Sequence, residues 1–91
     1  MLRITKIFES AETVTLKVEG LIVTEWVTVL ERESTAWLQE KRAVQLDFSE
    51  VRFIDNRGVE MLKRITSERL RCLNCPPLIE EILKGNEEHY E

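Results

Sequence analysis

VQLDFSEVRFIDNRGVEMLKRI, residues 44–65, carries two periodicities and the change between them. Val44, Leu46 and Phe48 alternate with polar residues, as a half-buried strand requires. Ser49 and Glu50 form a polar break. Val51, Phe53 and Ile54 resume the apolar run, and Asp55-Asn56-Arg57-Gly58 follows. From Val59 to Ile65 the apolar residues fall at helical spacing, with Val59, Leu62 and Ile65 on one side. The reading is strand, loop and helix N-terminus. In an α/β sheet such a junction lies at the carboxyl end of a strand, where ligands and partners dock.

The flanking sequence supplies the rest of the sheet. Residues 3–8 (RITKIF) read as an edge strand, and Glu9-Ser10-Ala11-Glu12 as a polar turn. Residues 13–19 (TVTLKVE) alternate cleanly, so the pair is a β-hairpin that Gly20 ends. From Thr24 to about Lys41 the period becomes helical, with Val27, Leu30, Trp37 and Leu38 inward. Thr24 suits the N-cap, and Glu25 suits the positive end of the helix dipole. Trp26 and Trp37 lie three turns apart on one side, a spacing that fits core packing. The next strand covers 43–48 and the second helix about 56–67. Residues 70–75 (LRCLNC) are β-compatible. Pro76-Pro77 opens a third helix carrying Leu78, Ile79, Ile82 and Leu83 inward, and Lys84-Gly85 is its stop signal. The order is β-β-α-β-α-β-α, an α/β single domain. Its mixed sheet has an antiparallel N-terminal hairpin and parallel later strands joined by right-handed crossovers. Residues 1–85 form the domain and 86–91 a polar tail.

Composition narrows the function. The chain has 91 residues, 43% hydrophobic and 33% charged, which is globular and not disordered. The net charge of −4, with both signs interspersed, lacks the basic patch of a nucleic-acid binder. No apolar run reaches the ~20 residues of a membrane helix, so direct membrane insertion is not expected. The N-terminus lacks a signal-peptide h-region. Cys72 and Cys75, with one distant histidine (His89), do not fill a four-ligand zinc site. They read as structural thiols in a reducing cytoplasm. Asp47 and Asp55 lack the nucleophile, base or metal cluster that would make them catalytic. The expectation is therefore no enzyme, no metal and no cofactor.

Around the 55–58 turn the residues allow two readings. Asp55 and Asn56 are both N-cap types, and a capped helix needs only one of them. Gly58 in the first helical turn costs about 1 kcal/mol relative to alanine. That cost implies unusual backbone or a close approach by another chain. Arg57, Glu60, Lys63 and Arg64 are placed to form a mixed-charge surface.

The order and spacing of these motifs resemble the STAS domain, shared by anti-sigma-factor antagonists and sulfate-transporter tails, over roughly residues 2–84. LKVEGLIVTE resembles the end of that family's second strand. LDFSEVRFID resembles its third, with Asp47 and Ser49 as residues supporting the loop. Asp55-Asn56-Arg57-Gly58 resembles its aspartate-serine-x-glycine turn, and RLRCLNCPPLIEEIL its fourth strand and following helix. The resemblance implies a partner-binding surface of Asp55, Asn56, Arg57, Gly58, Glu60, Lys63 and Arg64. The implied partner is an anti-sigma factor that is also a serine kinase, or another STAS-binding ATPase. In the family the serine of the turn is phosphorylated, and the added charge breaks the complex. Here Asn56 occupies that phospho-acceptor position without a hydroxyl. Family members continue into another strand and helix, so an open edge or face is expected here, inviting a homodimer or permanent partner. Two further functions fit the resemblance. One is an accessory subunit of an ABC-type lipid transporter. The other is a small-molecule sensor with a pocket near the tryptophans.

Overall fold

A computed structural model describes residues 1–87, with side chains described through Lys84. The elements are β1 (Leu2–Glu9), β2 (Thr13–Ile22), α1 (Glu25–Gln39), β3 (Ala43–Ile54), α2 (Asn56–Ile65), β4 (Leu70–Leu73) and α3 (Pro77–Glu87). The sheet order is β1-β2-β3-β4. β1 and β2 are antiparallel, and β2–β3 and β3–β4 are parallel, as the sequence pattern requires.

Both crossovers, β2-α1-β3 and β3-α2-β4, step across the sheet in the same direction. With right-handed connections that places α1 and α2 on one face. Burial agrees. Val14, Leu16, Val18 and Ile22 of β2 and Val44, Leu46 and Phe48 of β3 are at most 2% exposed and form the core under the helices. α1 packs on β2 and β3, α2 on β3 and α1, and α3 on β3 and α2. The alternate strand positions, including Lys17, Glu19, Gln45 and Asp47, make a largely polar open face.

Several boundaries differ from the sequence reading. β2 runs through Gly20 to Ile22, because Gly20 adopts φ +107° and lies against the Met1 carbonyl, where a Cβ would collide. β3 does not stop at Phe48 but continues to Ile54. The break at Ser49-Glu50 is a bulge. Lys17 pairs with Asp47 and Glu19 with Glu50, so β3 spends three residues against two of β2. A second irregularity at Arg52 pairs Leu21 with Phe53 and turns Phe53 out of the core, leaving it 45% exposed. α1 is shorter at both ends than 24–41, and α2 stops at Ile65 with Thr66 as its C-cap. β4 ends at Leu73, since Asn74 takes φ 55°. α3 passes the expected stop at Lys84-Gly85, so Asn86 and Glu87 belong to it and not to a tail. His89 and the remainder of that tail lie outside the described residues.

Trp26 and Trp37 are half-buried and pack against the core. The Trp37 ring also has Lys6 Nζ and the Arg42 guanidinium over it, each 5.3 Å from the ring centroid. Glu9 pairs with both cations. Arg69 donates to the Leu38 and Arg42 carbonyls at 3.1 and 3.2 Å and so holds the end of α1.

Candidate functional site

Asp55 organises the upper end of the sheet. It is the N-cap of α2, and its Oδ1 accepts the Gly58 N–H at 2.8 Å. Its Oδ2 accepts the Thr24 N–H at 3.0 Å, 31 residues away in sequence. Its own N–H donates to the Ile22 carbonyl at 3.1 Å. One side chain thus ties the β2–α1 turn to the β3–α2 turn. Thr24 is held at φ 49°, a strained value for a β-branched residue. It occupies the N-cap of α1, yet its side chain makes no capping bond. Its hydroxyl donates to the Val23 carbonyl instead.

Gly58 is buried. A Cβ there would lie 2.6 Å from Ile54 Cγ1 and 3.0 Å from the Ile22 carbonyl oxygen. The close approach comes from the protein's own β2 and β3, which lets α2 start directly on the sheet. Gly58 therefore supports the surface from beneath and is not itself part of it. Asp55 is half-buried, while Asn56, Arg57, Glu60, Lys63 and Arg64 are exposed. At 3.6 residues per turn these five fall within an arc of about 120° on α2. Val59, Met61 and Leu62 occupy the buried side. Arg64 donates to Glu31 Oε1 at 2.9 Å and joins the arc to α1. A shallow cleft of about 190 Å³ between the two helices is lined by Thr24, Thr28, Glu31, Arg57, Glu60 and Arg64.

Asp47 and Ser49 sit elsewhere. Both lie within β3, eight and six residues before Asp55, beside the end of β4. Asp47 Oδ1 accepts the Ser49 N–H at 3.0 Å and the Asn74 amide at 3.3 Å. The Ser49 backbone bond holds the Asp47 carboxyl below its usual range. The pair's hydrogen bonds brace the bulge and the β4–α3 turn, and none of them reaches the 55–58 loop.

Cys72 lies in β4 and Cys75 just before α3, and both are free, half-buried thiols. Burial pushes the Cys72 thiol up to about 12, with a smaller contribution from Cys75. Burial also raises Cys75, with Glu80 adding to it. Neither is a poised thiolate nucleophile. Among the described residues no three His, Cys, Asp or Glu side chains group as a metal site. No described helix is long and apolar enough to cross a membrane.

A scan against family models and a search of the curated proteins returned no match. The solved structures do match. The unphosphorylated anti-sigma factor antagonist SpoIIAA is similar over 97% of this chain and 94% of its own, with TM-score 0.64 and 20% identity. An anti-sigma factor antagonist from Mycobacterium paratuberculosis aligns over 98% and 82%, with TM-score 0.68 and 15% identity. An antisigma-factor antagonist STAS domain from Rhodobacter sphaeroides aligns over 80% and 86%, with TM-score 0.54 and 19% identity. The architecture is thus a single-layer mixed sheet backed by helices, of the kind these antagonists share. The chain has the STAS fold, as its motif order led us to expect.

Proposed function

We propose that the protein is a non-catalytic regulatory module of the cytoplasm. It docks on a kinase-type anti-sigma factor, or a related signalling ATPase, and so acts in transcription control. The observation that carries this reading is the exposed arc of Asn56, Arg57, Glu60, Lys63 and Arg64, set on the strand ends of an antagonist-type fold. Asp55 and Gly58 fix the helix under that arc, so little ordering is needed when a partner binds. Arg57, Lys63 and Arg64 against Glu60 give the arc a net positive character that favours an acidic docking patch. Asn56 offers no hydroxyl, so phosphorylation at the turn does not switch the contact off.

Affinity purification of the tagged chain, with mass spectrometry of the bound ATPase, tests the partner class. A histidine-kinase-like ATPase is the expected outcome, released by Arg57→Glu or Lys63→Glu with at least about a tenfold loss of affinity. An ABC-type ATPase retained through the same arc would assign the chain to a lipid transporter instead. Incubation with the captured kinase and ATP tests the missing switch. The unaltered chain should take no phosphate on residues 49–67, and Asn56→Ser should gain it. Stoichiometric phosphate on the unaltered segment would overturn the unswitched reading.

A further inference from the structure

The open face of the sheet is polar along most of its length, with Thr13, Lys17, Gln45 and Asp47 half-buried on it. Apart from exposed Phe8, which pairs with Thr15 at the far end of the edge strand, it turns apolar at the end where β2 and β3 finish. There the register pairs Leu21 with Phe53, and both project away from the helices, 37% and 45% exposed. Met1, whose carbonyl accepts the Leu21 N–H at 3.0 Å, extends the row across a third strand and is 83% exposed. Beside this ridge lies a depression of about 350 Å³, lined in part by Met1, Arg3, Glu19, Gly20, Glu50 and Arg52. Its charged residues are two of each sign.

We propose that this end of the open face binds a second copy of the chain about a two-fold axis. An isologous contact needs a surface that complements itself, so that residue i meets j and j meets i. A protruding Phe53–Leu21 ridge next to a hollow on the same face meets that need, because each ridge enters the other copy's hollow. The charges meet it as well. Arg52 of each copy faces Glu50 of the other, whereas a partner of one dominant sign would leave two of the four repelled. The polar middle of the face, Lys17, Gln45 and Asp47, separates this end from Phe8 and keeps the contact small, so association is weak and depends on concentration. This surface is on the opposite side of the sheet from the α2 arc and stands independently of the docking proposal.

Sedimentation velocity of the full chain from about ten micromolar to about one millimolar tests it. The mass should rise from that of one chain towards two. Phe53→Asp and Leu21→Asp should each leave a monomer throughout, with far-UV circular dichroism unchanged because both side chains are exposed. Glu50→Arg and Arg52→Glu should each weaken self-association, and an equimolar mixture of the two should restore it through cross-pairing. Lys63→Glu should leave it unaltered. A monomer at every concentration, a dimer indifferent to Phe53→Asp, or a mixture that fails to recover would overturn the proposal.

Discussion

Gly58 shows how a residue's local preference and its packing can oppose each other. Alanine at this helical position gains about 1 kcal/mol of propensity. The added methyl, however, meets the Ile22 carbonyl and Ile54 Cγ1 inside contact distance. Overpacking of this kind costs about 1–3 kcal/mol, so packing wins. Gly58→Ala should lower the urea midpoint of unfolding with an unchanged slope. Asp55 is a second such residue. An ordinary cap is worth about 1 kcal/mol, but this carboxylate also holds the Thr24 N–H. Asp55→Ala should therefore cost about 2 kcal/mol, more than a simple cap. Asp55→Asn, which keeps one acceptor oxygen, should cost less. Equal losses for the two variants would remove the bridging role. The sequence shows Asp55 as a cap type, but nothing local reveals the bond to Thr24 across a whole helix.

At the scale of elements, type and order were readable from periodicity, and ends were not. β3 reads as finished at Phe48 because Ser49-Glu50 breaks its alternation. Its continuation depends on bulges that exist only against β2. α3 outruns its Lys-Gly signal because a stop signal is a preference, and one glycine costs only about 1 kcal/mol. β4 and the turn into α3 give a direct chemical test. Cys72 lies on an open cleft of about 520 Å³ lined also by Leu62, Lys63, Thr66 and Leu83. Burial nevertheless holds its thiol protonated up to about 12. Iodoacetamide at mildly alkaline pH should alkylate Cys75 before Cys72, read by peptide mass spectrometry. A raised folded pKa means stability is complete below the unfolded thiol value of ~8.5 and is lost as pH climbs from there towards 12. Cys72→Ser should flatten that alkaline decline.

For the whole molecule, one layer of helices on one face of a four-stranded sheet leaves the other face to water. The ion pairs, on the helix side as well as on β1 and β2, lie at the surface and contribute modestly. Among the described residues, two carboxylates titrate below their ordinary range. Lys6 and then Arg42 lower Glu9, and the Ser49 N–H lowers Asp47. With depressed folded values, the unfolded chain binds protons first on acidification. Their contribution is present at pH 7 and is lost as pH falls from about 4 through the folded values. The urea midpoint should decline over that window, and the double variant Glu9→Gln/Asp47→Asn should decline less. A double variant with the same acid limb as the parent would show that other groups set it.

The sequence by itself determined the α/β class, the element order and the place of the 55–58 turn. Each of these is a local periodicity or a short-range cap. Tertiary structure alone decided that Gly58 is buried, that Asp55 joins two turns, that Asp47 and Ser49 stand apart from the loop, and that Phe53 leaves the core. All four depend on the register of β3 against β2. Register is a contact between segments some 30 residues apart, and a one-residue bulge in it sends the following side chains to the other face.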